Sequence, residues 1–127
     1  MMEQLIAHLL GDYILQSDWM ATEKRKHMWV AYTHGFVYSL SFVFIVPGFW
    51  AWTVIFVTHS VIDYFGIARY VLFAKNYIGP VSVWYKWSDC SATGYHKDRP
   101  PWLATWLMII GDNTMHLLIN YLAIRYL

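Results

Sequence analysis

Three His–Asp pairs at a spacing of four carry the chemistry that this chain offers: His8-x-x-x-Asp12, His59-x-x-x-Asp63 and, in reverse order, Asp112-x-x-x-His116. Four residues make about one helical turn, so each pair puts an imidazole and a carboxylate on one helix face. His34, in a long apolar stretch, adds a further imidazole. Imidazole and carboxylate together suit zinc, manganese or iron. A catalytic mononuclear zinc site takes about three protein ligands. The candidates His8, Asp12, His34, His59, Asp63, Asp112 and His116 exceed that number. They suit two metal ions bridged by a carboxylate, with Asp12, Asp63 and Asp112 as the groups that would bridge and serve the reaction. Gln16 continues the His8–Asp12 stripe and Asn120 continues the Asp112–His116 stripe, as polar partners for the ligands. Asn113, turned about 100° from Asp112, is the weaker partner. Hydrogen bonding that merely holds helices together, or relays protons, explains one such pair more readily than three.

These pairs need helices to position them, and the composition says of what kind. The chain has 127 residues, of which 58% are hydrophobic, 20% aromatic and only 13% charged. A soluble domain carries about 25% charged residues, and a disordered chain would be polar and poor in aromatics. Net charge is +1, which disfavours a nucleic-acid binder working through a basic surface. The single cysteine, Cys90, forms no internal disulfide and no CxxC-type zinc module. From His27 to Ile62 there is no Asp, Glu, Lys or Arg. As one helix that stretch would run roughly 54 Å, well beyond a bilayer core of about 30 Å. Pro47-Gly48 interrupts it as a turn. The pattern predicts an all-α, single-domain integral membrane four-helix bundle over residues 1–127, with helices at about 4–21, 29–46, 49–73 and 102–126. The first of these carries His8, Asp12, Gln16 and Asp18 and is read as a polar-faced helix packed into the bundle. It lacks the basic start and long apolar run of a signal peptide.

Lys24, Arg25 and Lys26 lie between the first two predicted helices, and Arg69, Lys75, Lys86, Lys97 and Arg99 lie at the end of the third or in the loop after it. Only Arg125 falls on the other side, so both basic loops are expected in the cytoplasm. With that orientation the reversal of Asp112–His116 in the antiparallel last helix brings all three Asp residues to one depth, about 14 Å from the cytoplasmic helix ends. The long loop from Lys75 to Pro101 holds Trp84, Tyr85, Trp87 and Tyr95 among its basic residues and is expected to lie on the inner leaflet near anionic headgroups. His27 and His96 fall in these loops and are expected to be solvated.

His8-Leu-Leu-Gly-Asp12-Tyr-Ile-Leu-Gln16-Ser-Asp18-Trp-Met-Ala21, followed by Lys24, resembles the opening motif of the domain of unknown function 3307 family of small bacterial and phage membrane proteins. His59-Ser-Val-Ile-Asp63 and Asp112-Asn113-Thr-Met-His116 resemble its later motifs. The resemblance implies an integral membrane protein, hence a bacterial inner (cytoplasmic) membrane, and names no reaction. A looser likeness, in residue types alone, is to the membrane-bound metal-dependent hydrolases. The residues lead to the expectation of a membrane-embedded hydrolase using about two divalent ions (Zn, Mn or Fe) on a lipid-linked phosphate or ester. Lys24, Arg25, Lys26 or Arg99 would draw its phosphate. The alternatives are a metal-ion or proton carrier, a structural metal-binding membrane protein, and a di-iron lipid oxidase. Membrane lipid is the expected partner, nucleic acid is not, and a homo-oligomer could supply a pore.

Overall fold

The N-terminal stretch does form helix, although not one continuous helix. α1 (Met2–Leu9) passes directly into a π-helical turn, Leu10–Ile14, closed by the Leu15 N–H donating to Leu10 O at 2.9 Å. Ser17 then stands in extended conformation and caps α2 (Asp18–Glu23), its hydroxyl accepting the Met20 N–H at 3.3 Å. The expected helix over 4–21 is therefore divided at Leu15–Ser17, because a Ser-Asp step is worth more as a cap than as helix interior.

α3 (Met28–Leu40) and α4 (Phe49–Phe65) form the apolar hairpin around Pro47-Gly48. Beyond Leu40 the expected helix tightens into i→i+3 turns through Ile45, among them Ser41 N–H to Tyr38 O and Phe42 N–H to Ser39 O. The serine hydroxyls drive this change. Ser41 Oγ donates to Ala7 O at 2.8 Å and to Tyr38 O at 2.6 Å, and Ser39 Oγ donates to Phe36 O at 2.8 Å. Such back-bonding loosens the helical ladder. The α3–α4 contact is close at Gly35, where a Cβ would overlap Ser60 Oγ and approach Phe56 O to 3.1 Å.

The helix expected over 49–73 ends at Gly66, whose φ of 59° and ψ of 48° are left-handed, a conformation that glycine adopts without penalty. α5 (Ile67–Ala74) follows, then 3₁₀ turns at Lys75–Ile78 and Val81–Val83, the short α6 (Trp87–Cys90), and α7 (Pro101–Tyr126).

This computed structural model describes residues 2–127, with no strand among the described residues. It has two compact units, Met1–Phe65 with His116–Leu127, and Gly66–Met115. α7 is long and apolar enough to cross a membrane by itself, and Phe49–Phe65 with Ile67–Ile78 qualifies only as a bent pair. α1 and α3, at 8 and 13 residues, are shorter than the about 20 of a full crossing.

The first unit is apolar outside and polar within. Its apolar core is small: Ala7, Tyr38, Phe42, Ile55 and Ala123. His8, His34, His59, Asp63, His116 and Asn120 are all buried beside it, whereas Phe44 is 95% exposed, Trp50 70% and Phe49 69%. In the second unit Arg69 donates to Ser91 O and lies over the rings of Tyr70 and Trp87. Gly94, at φ 84°, sits where a Cβ would meet Arg69 O, and Asn76 Nδ2 donates to Gly94 O at 3.2 Å. The Lys75–Pro101 connection, expected as a loop, is thus a folded layer of short helical turns.

Candidate metal centre

Three elements bring four donor side chains together in the first unit. The π turn presents Asp12, α3 presents His34, and one face of α4 presents His59 and, a turn later, Asp63. Wide π turns recur at functional sites because they re-aim a side chain without ending the helix. His34 Nε2 lies 3.2 Å from Asp12 Oδ1 and 3.2 Å from Asp63 Oδ2. His59 Nε2 lies 3.2 Å from Asp12 Oδ1 and 3.3 Å from Asp63 Oδ2. The two Nε2 atoms are 3.0 Å apart.

These separations test whether the residues suit a metal. Ligands held about 2.0–2.1 Å from a tetrahedral ion stand about 3.3–3.4 Å from one another. His34 Nε2 and His59 Nε2, 3.0 Å apart, each stand 3.2–3.3 Å from Asp12 Oδ1 and from Asp63 Oδ2, and Asp12, His34 and His59 form a group able to hold an ion. Hydrogen bonds account poorly for the cluster. A neutral imidazole has one N–H, and each Nε2 here faces three neighbours at once. Asp12 Oδ1 is buried and accepts no hydrogen bond, although two ring nitrogens approach it. Donors crowded this closely, with Lys24 reaching only the Asp63 Oδ2 edge, are what a further cation relieves. The charges agree: two carboxylates against one lysine leave room for a divalent ion.

An outer layer holds the inner one. His8 Nδ1 is 3.6 Å from Asp12 Oδ2, the oxygen turned away from the four-atom cluster, and His116 Nε2 is 3.4 Å from Asp63 Oδ1, the equivalent oxygen on α4. Tyr38 joins the layers. Its hydroxyl is 2.8 Å from His8 Nδ1 and accepts from Asn120 Nδ2 at 2.6 Å, and its ring stacks on His59 with centroids 3.6 Å apart at 12°. Gln4 Nε2 donates to Leu117 O and ties α1 to α7. Outer contacts of this kind fix ligand orientation. His59, Asp63 and His116 form a second group able to hold an ion, sharing His59 with the group Asp12, His34 and His59.

Lys24 is the cation at the site. Its Nζ is 2.7 Å from Asp63 Oδ2 and 2.8 Å from Gln16 Oε1, so Gln16 reaches the ligands through Lys24. Arg25 and Lys26 are exposed, and Lys26 pairs with Glu23 at 2.7 Å. Asp112, Asn113 and Arg99 belong to the second unit, and Asp112 is in neither of the metal-capable groups. His96, expected to be solvated, packs on the Tyr85 ring at 4.3 Å. The pair spacings lead to Asp12, His59, Asp63 and His116. Tyr38 goes unmarked by them, although its place four residues after His34 on the same helix face is an available signal.

Residues 1–80 match the family described as Protein of unknown function (DUF3307). The matched segment contains all four inner donors with His8, Gln16 and Lys24, and ends before His116. No curated protein matches the chain, and no solved structure does.

Proposed function

The chain belongs to the DUF3307 family, which names no reaction, and from the site we propose that it is an integral membrane protein holding a divalent transition-metal ion on Asp12, His34, His59 and Asp63. The carrying observation is the set of donor separations of 3.0–3.3 Å that links His34 and His59 to each other and to both Asp12 and Asp63. The inversion of the first unit, with buried His and Asp under exposed Phe and Trp, supports a lipid surround, since water-soluble chains rarely expose such an apolar surface. The eight basic residues of the two long connections support a bacterial inner membrane with those connections in the cytoplasm. Four crossings would use the helical hairpin of α3 and α4, α7, and α1 with its π turn, the short helices being extended by the turns that follow them.

Metal analysis of protein purified in detergent tests this reading. About one equivalent of zinc, manganese or iron is expected. His34→Ala, His59→Ala, Asp12→Ala and Asp63→Ala should each lose it, whereas His8→Ala and His116→Ala should weaken it about 10- to 100-fold. Two equivalents would put the second ion at His59, Asp63 and His116. A well-folded protein that takes up no metal would overturn the reading.

Lys24 favours a second step, hydrolysis of a lipid-linked phosphate or ester. A bound ion would polarise the phosphoryl or carbonyl oxygen. Lys24, partly exposed and aimed at the same ligand shell, would hold the anionic group beside it. Four protein donors close a tetrahedral zinc site but leave two positions on a six-coordinate manganese or iron ion. The hydrolase reading therefore goes with the larger coordination number. Metal-dependent turnover of lipid phosphates in mixed micelles, lost in Lys24→Met with metal retained, would support it. Metal flux into liposomes without product would make the protein a carrier instead.

A further inference from the structure

The second unit contains two neighbouring cavities of 380 Å³ and 320 Å³ that share a wall of Tyr95, His96, Arg99 and Ala104. Small-molecule sites run from about 300 to 1,000 Å³. The cavities differ in chemistry. The larger has an aliphatic side made by Val83, Leu103 and Leu107. The smaller is lined by the hydroxyl residues Ser88, Ser91, Thr93 and Thr105 and by the mutually paired Asp89 and Lys97. Cations around the shared wall are mostly engaged: Lys97 pairs with Asp89 at 2.7 Å, His96 Nδ1 lies 3.4 Å from Asp98, and Lys75 donates to the Tyr95 hydroxyl. Arg99 is the exception. Its guanidinium has no hydrogen-bond or ion-pair partner among the described residues, and it lines both cavities.

We propose that these cavities form a binding site for an anionic phospholipid, with the phosphate on Arg99, the polar headgroup among the hydroxyls and one acyl chain along Leu103 and Leu107. A planar guanidinium free to make two parallel N–H···O bonds matches a phosphate. The aliphatic wall on one side and the hydroxyl wall on the other match the two halves of an amphiphile. A soluble phosphate would leave the Leu103–Leu107 side unused. The site uses none of the residues of the metal centre, so it stands or falls separately.

The full-length protein, stripped of lipid in detergent, would be titrated with phosphatidylglycerol, phosphatidylcholine and glycerol phosphate, and bound lipid counted by native mass spectrometry. One phosphatidylglycerol per chain is expected, with phosphatidylcholine bound at least about tenfold more weakly because its trimethylammonium donates no hydrogen bond to the hydroxyls and stands as a like charge near Arg99, and glycerol phosphate at least about tenfold more weakly because it has no acyl chain to bury along Leu103 and Leu107. Arg99→Gln should lose that preference, Arg99→Lys should keep part of it, and Leu107→Gln should weaken the lipid without improving glycerol phosphate. Lys86→Gln, at an exposed lysine that lines neither cavity, should bind as the natural chain does. Equal binding of phosphatidylcholine, or an Arg99→Gln variant with natural affinity and an unchanged thermal transition, would overturn the proposal. Glycerol phosphate binding as tightly as the lipid would reduce the site to a phosphate site and overturn the lipid assignment. Metal content, measured on the same samples, should be unchanged in every variant.

Discussion

At the scale of single residues, Tyr38 is the joint of the site, through its ring on His59 and its hydroxyl on His8 and Asn120. Removing the hydroxyl leaves two buried polar groups short of a partner, which costs about 1–3 kcal/mol. Tyr38→Phe is therefore expected to lower the thermal transition while retaining the ring stack and most of the metal. A variant with unchanged stability would mean that His8 and Asn120 do not depend on the phenol. The spacing of the His–Asp pairs makes Asp12, His59 and Asp63 legible in the sequence, because one helical turn is a local property of the chain. Spacing does not separate inner from outer ligands. His8 and His116 have the same spacing signature as their partners, yet each faces the far oxygen of a carboxylate. Lys24 reads in sequence as a topology signal. Its reach to Asp63 is a contact across 39 positions, which no local pattern encodes.

At the scale of elements, apolar length and polar punctuation have different legibility. α7 coincides with its expected bounds because nothing inside Pro101–Tyr126 competes with the helix. The breaks at Ser17 and Gly66, and the tightening after Ser39, come from side-chain hydroxyls and one left-handed glycine. A hydrophobicity pattern does not register these. The approach of α3 to α4 depends on Gly35. Adding a methyl there forces Ser60 Oγ and the Phe56 carbonyl to yield, and overpacking of this kind costs about 1–3 kcal/mol. Gly35→Ala should destabilise the protein and reduce metal content, since His34 and His59 lie on the two helices being separated. Ser60→Ala in the same chain should recover part of both losses. Failure of that rescue, with Ser60→Ala alone well folded, would show that the Gly35 contact is not what sets the distance between the two imidazoles.

At the scale of the whole molecule, the prediction is topological. Arg25→Cys and Ser82→Cys, both at exposed positions, should label from the cytoplasmic side and resist an impermeant reagent added outside. The native Cys90 contributes little background, since it is buried at 1% exposure and burial pushes its thiol pKa up, leaving little thiolate to react. Labelling of the two positions from opposite sides would remove the reasoning that puts both basic connections in one compartment. The all-helical class is legible because the His–Asp pairs repeat at one helical turn and the apolar runs are too long for strands. The folding of the Lys75–Pro101 layer is hidden from it. That layer rests on pairings such as Arg69 with Ser91 and Asn76 with Gly94, between positions that carry no periodic signal.

The π turn at Leu10–Ile14 also has a genetic meaning. A π turn closes one residue later than an α turn, and this one lies between α1 and the break at Leu15–Ser17. Deletion of the Leu10 or Gly11 codon is expected to turn Asp12 about 100° around the axis of α1, away from His34 and His59. In a population of natural variants, three-base deletions confined to the start of this turn would thus remove the Asp12 corner of the proposed site while leaving His34, His59 and Asp63 on α3 and α4.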